Sequence, residues 1–152
     1  MSGMLINGLR WEVRVRGHGR PLLLIHGFTG RGAAWGAHAQ ALAREFQTIV
    51  VDLPGHGRSG IHGDPARMSV EGTADDLATI LGRLDAAPAH ILGYSLGARV
   101  ALRLAVAHAP AVRRLILESP SAGIARAAER ASRRRADAAL ARSLERHGIK
   151  AF

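Results

Sequence analysis

Ile91-Leu92-Gly93-Tyr94-Ser95-Leu96-Gly97-Ala98-Arg99 is the stretch on which the reading of this chain turns. Two apolar residues run into Gly-x-Ser-x-Gly, and an amphipathic apolar stretch from Val100 to Val106 follows. The serine therefore falls where a buried strand turns sharply into a helix, the setting of a nucleophile elbow. Such a turn holds the serine in a strained backbone conformation, and Gly93 and Gly97 admit the close passage of neighbouring chain. The helix N-terminus then directs N–H groups and partial positive charge at any oxyanion forming near Ser95. A glycine-rich turn with a serine N-cap is the plain alternative. The surrounding sequence decides between them.

Upstream, Trp11 to Arg16 alternates apolar and polar residues and predicts a half-exposed strand near a sheet edge. Leu22-Leu23-Leu24-Ile25 and Thr48-Ile49-Val50-Val51 are short apolar runs, as expected of central parallel strands covered on both faces. Trp35 to Phe46 has helical spacing, and Ser69 is placed to cap a helix running to about Leu84, with Asp75 and Asp76 read on its wet face. His90-Ile91-Leu92 feeds the elbow, the helix after Ser95 continues to about His108, and Val112 to Leu117 predicts one more strand. This alternation predicts an α/β fold, a mostly parallel sheet with right-handed crossovers and helices on both faces. From Ala122 the pattern changes. Ile124 to His147 is helical in propensity, rich in Ala and Arg, with a thin apolar stripe, and reads as a lid rather than core. The expected division is residues 1–121 as the α/β core and 122–152 as the start of a helical lid.

Composition narrows the function classes. The chain's 152 residues fit one domain with a real core, and no apolar run reaches the roughly 18 residues of a membrane span. No signal-peptide pattern opens the chain, and zero cysteines fit a reducing compartment, so a cytoplasmic location with no membrane partner is expected. The absence of cysteine also removes thiolate metal sites, and no metal or organic cofactor is expected. Of the net charge of +9, five units fall between Ala125 and Lys150, and Phe152 is the one aromatic residue near them. Stacking with bases is thus poorly supported, and no nucleic-acid partner is expected.

Three loops leave the carboxyl ends of three apolar strands, where open parallel sheets bind ligands. They carry His26-Gly27-Phe28-Thr29-Gly30, Asp52 to Gly60, and Ser95. In the elbow arrangement the oxyanion is held by the N–H after the serine and one from the first loop, here Leu96 and Phe28. His26 and His56 read as histidines that fix their loops, and Asp52 as a residue that orders its turn.

These three motifs, in this order, resemble the amino-terminal half of the α/β-hydrolase superfamily. Within it, Gly93-Tyr94-Ser95-Leu96-Gly97-Ala98-Arg99, Leu117-Glu118-Ser119 and the Arg-rich segment Glu129 to Asp137 resemble the 2-succinyl-6-hydroxy-2,4-cyclohexadiene-1-carboxylate synthases of menaquinone biosynthesis, which eliminate pyruvate. The resemblance implies Ser95 as the catalytic serine and Tyr94 beside it in the pocket. It also implies Arg99 and Arg133 on the carboxylates of a small-molecule substrate, for which the guanidinium fork is suited. A solvated helix residue for Arg99, a solvated lid face for Arg133 and simple packing for Tyr94 remain open. So does a serine esterase or carbon–carbon hydrolase of the same fold, or a catalytically silent binding protein.

One part of the pattern is missing. An elbow serine needs a histidine base and an acid to orient it, following the serine in chain order. After Ser95 the histidines are His108, at the far end of the same helix and roughly 20 Å away, and His147 in the expected lid. Glu118 ends a strand on the right face but has no histidine to orient. The expectation is an α/β-hydrolase fold truncated after its sixth strand, about 60% of a superfamily member of ~250 residues, and inactive alone. Its exposed sheet edge would then invite a complementary chain or a homo-oligomer.

Overall fold

A computed structural model describes residues 3–121 and 123–149. Ala122, where the lid is expected to begin, and Lys150 and Phe152, which figure in the charge reading, lie outside the described residues. The chain forms two compact units, Met1–Pro120 and Ser121–Phe152.

The first unit opens with a hairpin, β1 (Met4–Ile6) and β2 (Leu9–Trp11), closed by Asn7-Gly8 at φ 47° and 81°. Asn-Gly favours this two-residue turn because both central residues need positive φ. Then come β3 (Val13–Arg16), β4 (Arg20–Ile25), β5 (Phe46–Val51), β6 (Ala89–Tyr94) and β7 (Val112–Glu118). They form one sheet in the order β3-β5-β4-β6-β7, antiparallel between β3 and β5 and parallel elsewhere. From β4 the chain crosses to β5 on one side and then back to β6 on the other. The carboxyl ends of β4 and β6 therefore lie side by side at the point where the winding reverses, which is where such sheets open a crevice.

Helices cover both faces. On one, a 3-10 turn (Gly32–Trp35) and α1 (Gly36–Leu42) bring Trp35, Ala39 and Leu42 onto Leu22, Leu24 and Val50. On the other, α2 (Val70–Arg83) and α3 (Leu96–Ala107) join a larger core with Leu23, Ile25, Ile49, Val51 and Ile91. Ser69 caps α2 by accepting the Gly72 N–H at 3.0 Å. At the far side of the sheet β7 is an edge, and Ile116 is 49% exposed on the face that carries α1.

Two expectations change. The strand expected from Trp11 to Arg16 is two strands broken at Glu12, whose side chain is buried, as are Trp11 and Val13. Counting β2 and β3 as one interrupted strand makes β7 the sixth of the fold. Asp76 is not on the wet face of α2. It is fully buried and accepts hydrogen bonds from Asn7 Nδ2 at 2.7 Å and Trp11 Nε1 at 3.2 Å, and it pairs with Arg67. Helical periodicity places Asp76 by its spacing alone, while the hairpin that supplies its partners is distant in sequence.

The second unit is α4 (Ala127–His147), in which no residue is buried. No helix among the described residues is long and apolar enough to cross a membrane.

Candidate active site

β6 ends at Tyr94 and α3 begins at Leu96, so Ser95 alone makes the turn between them, at φ 52° and ψ −108°. Positive φ is costly for a residue with a Cβ. Contacts on both sides hold Ser95 there. Its N–H donates to the Glu118 carbonyl on β7 at 2.9 Å, and its own carbonyl accepts from Ala98 at 3.1 Å and Arg99 at 3.2 Å. The close approach depends on glycine at two positions. A Cβ at Gly97 would collide with the backbone carbonyls of Ile25 and His26, and one at Gly27 would lie 3.3 Å from the Ser95 Cβ. The loop after β4 thus runs directly against the elbow.

That loop is tied to its neighbour. The Leu53 N–H donates to His26 Nε2 at 2.9 Å, so this ring nitrogen is an acceptor and carries no proton. The proton sits on Nδ1, which donates to the Gly27 carbonyl at 2.7 Å. Burial pushes the His26 pKa below its ordinary value; the Gly27 carbonyl opposes this, His56 adds to it, and the Asp52 carboxylate opposes it. His26 is therefore a neutral bridge between two loops. The His56 ring packs against His26 and Phe28, with centroids at 5.3 and 5.9 Å. Asp52, also buried, accepts the Gly32 N–H at 2.6 Å, the Arg58 N–H at 2.9 Å and Arg14 at 3.3 Å. It orders both loops at once.

The structure brings Ser95, Leu96, Tyr94 and the Gly27-Phe28 loop together. Leu96 is the first residue of α3, where N–H groups lack partners within the helix. Tyr94 is 44% exposed with its ring edge against Gly27, and Phe28 is exposed. Arg99 stands exposed on the first turn of α3, four residues from Ser95. Arg133 lies in the second unit, on α4, where its Nε donates to Asp137 at 2.7 Å. His108 caps the far end of α3 and meets Asp75 at 2.7 Å, and His147 bonds the Ser143 carbonyl on α4 at 3.0 Å. Among the described residues no group of three or more His, Cys, Asp or Glu side chains could hold a metal ion. The anchoring of Ser95 by Glu118 could not be read from the sequence, because it runs through a backbone carbonyl that no side chain announces.

A strand-to-helix turn at Ser95, beside a glycine loop at the switch point of a parallel sheet, is the site of an α/β hydrolase. The chain belongs to that family, whose model, described as alpha/beta hydrolase fold, matches residues 20–139. It is 36% identical over 115 residues to the N-formylmaleamate deformylase of Pseudomonas putida, covering 75% of this chain and 42% of that protein. Over 148 residues it is 30% identical to a Bacillus subtilis protein named, provisionally, 2-succinyl-6-hydroxy-2,4-cyclohexadiene-1-carboxylate synthase, covering 96% of this chain and 54% of that protein. A solved N-acyl homoserine lactonase superposes with a TM-score of 0.73 at 31% identity, over 78% of this chain and 44% of that one. The chain thus spans about half the length of the relatives it matches.

Proposed function

We propose that Ser95 is the reacting serine of a cofactor-independent α/β-hydrolase site acting on a small carboxylate substrate, and that the reaction is pyruvate elimination of the menaquinone-pathway type. The observation that supports it most is the elbow itself, Ser95 held at φ 52° against the Gly27-Phe28 loop. In this reading a proton leaves the substrate carbon toward Ser95, and the electron pair moves onto the neighbouring carbonyl oxygen. The Leu96 and Phe28 N–H groups stabilise that oxyanion. As the charge returns, the carbon–oxygen bond to the pyruvate unit breaks and the leaving enolate takes up a proton. Arg99 holds a substrate carboxylate and Tyr94 lines the pocket, and the family resemblance implies a carboxylate-binding role for Arg133 as well. The 96% coverage by the Bacillus subtilis relative favours this chemistry. The higher identity to a deformylase favours a second reading, in which Ser95 attacks an acyl carbon and water completes a hydrolysis.

Either chemistry needs a base, and His26 cannot supply it, because Nε2 already accepts from Leu53 and Nδ1 already donates to Gly27. We place the base and its acid on a further polypeptide segment that adds a strand to the open edge of β7 and covers Ile116. The test adds the carboxyl-terminal half of the Bacillus subtilis relative to this chain and follows pyruvate release from the menaquinone precursor, with N-formylmaleamate in parallel. Pyruvate release that needs both pieces and disappears in Ser95→Ala supports the proposal, and deformylation alone selects the second reading. Release that survives Ser95→Ala sinks both.

A further inference from the structure

The Gly27 carbonyl receives two donors, His26 Nδ1 at 2.7 Å and the Gly30 N–H at 3.0 Å. That carbonyl and the Phe28 N–H belong to one planar trans peptide unit, in which C=O and N–H point in opposite directions. Whatever fixes the carbonyl therefore fixes the direction of the Phe28 N–H. The donor on Nδ1 is in turn fixed by the Leu53 N–H, which occupies Nε2 and forces the proton onto Nδ1. Leu53 follows Asp52, whose carboxylate is anchored to Gly32 and Arg58. A chain of hydrogen bonds thus runs from the loop after β5, through one imidazole, to the peptide unit beside Ser95.

We propose that His26 is a positioning residue for this site: as the neutral Nδ1–H tautomer it clamps the Gly27 carbonyl and so aims the Phe28 N–H at the oxyanion. This rests on the reading of Phe28 and Leu96 as the oxyanion donors, but the clamp is a property of the folded chain whether or not that reading holds. The His26 side chain itself touches no substrate. Its role differs from loop stability in one respect: the two ring nitrogens have separate tasks, so substitutions that keep one and lose the other part company. His26→Asn retains a donor near the Nδ1 position and loses the Leu53 acceptor. His26→Gln retains an acceptor near Nε2 and loses the clamp.

The test begins with nitrogen NMR of the imidazole in the unmodified 152-residue chain, which reports the tautomer directly and needs no activity. A protonated Nδ1 and an unprotonated Nε2 are expected; the opposite tautomer, or a rapid mixture, overturns the proposal. The Phe28 amide resonance should then move in His26→Gln and stay near its wild-type position in His26→Asn. Equal movement in both variants reduces His26 to a packing residue. In the reconstituted assay His26→Gln should lose about a hundredfold in kcat with KM little changed, the scale of a lost oxyanion donor, while His26→Asn loses much less. If the tautomer and the Phe28 shift are as expected but Ser95→Ala leaves turnover intact, the clamp stands and the functional reading fails. If Ser95 is essential and both His26 variants match wild type, the reverse holds.

Discussion

Around Ser95 every element restrains its neighbour, whereas around Arg133 one helix rests on its own hydrogen bonds. The elbow draws on β4, β6, β7, α3 and two loops, and its one strained residue is held by the Glu118 carbonyl and by the first turn of α3. α4 contains 21 residues, none buried, and the ion pair of Arg133 is with Asp137 on the same helix. Exposed pairs of that spacing are worth only a few tenths of a kcal/mol. A role that depends on backbone geometry is thus written into the surrounding fold. A role that depends on charge alone is not, because an arginine at the surface satisfies water and a neighbouring carboxylate equally well.

The sharpest way to break the comparison is Gly97→Ala. The added Cβ would meet the carbonyls of Ile25 and His26, which belong to the β4 strand end and cannot swing aside as a side chain can. Overpacking of this kind costs about 3 kcal/mol or somewhat more, and urea denaturation should show that loss. An unchanged midpoint would mean that α3 stands farther from β4 than the structure places it.

A smaller effect should follow pH. Burial holds the folded His26 below its usual pKa, while the unfolded chain titrates near the model-peptide value of about 6.5. Below that pH the unfolded state binds the proton first, so stability falls as pH drops through about 6.5 and levels off below the folded pKa. The slope cannot exceed about 1.4 kcal/mol per pH unit for one site. His26→Gln should reduce this slope, leaving the share of His90, whose pKa burial and the neighbouring Arg114 also lower. A wild-type profile that rises toward acid would contradict the neutral bridge.

The sequence carries the sheet and its helices because each rests on local spacing. Leu22 to Ile25 and Thr48 to Val51 are buried as their unbroken apolar runs require, and Ser69 caps α2 with its own side chain. Gly93 and Gly97 flag the elbow because a Cβ at either would meet backbone. What stays illegible is held by partners distant in the chain. Asp76 reads as wet until Asn7 and Trp11 arrive from the hairpin, and Glu118 acts through its carbonyl. The Asn7-Gly8 turn, by contrast, is a signal present in the sequence and easily passed over, because the strands on either side have only three residues each.

The smallest expected effect lies in α4. Ala131→Gly with Ala138→Gly should weaken the helix by about 1 kcal/mol at each position, because glycine adds backbone freedom that a helix must give up and neither position buries a side chain. Helical circular dichroism should fall accordingly. The cooperative urea transition of the sheet should shift by no more than about 0.5 kcal/mol, the range of surface changes. A large loss in the sheet's own transition would instead mean that α4 contributes to the core's stability as the elbow does, and the contrast between the two regions would collapse.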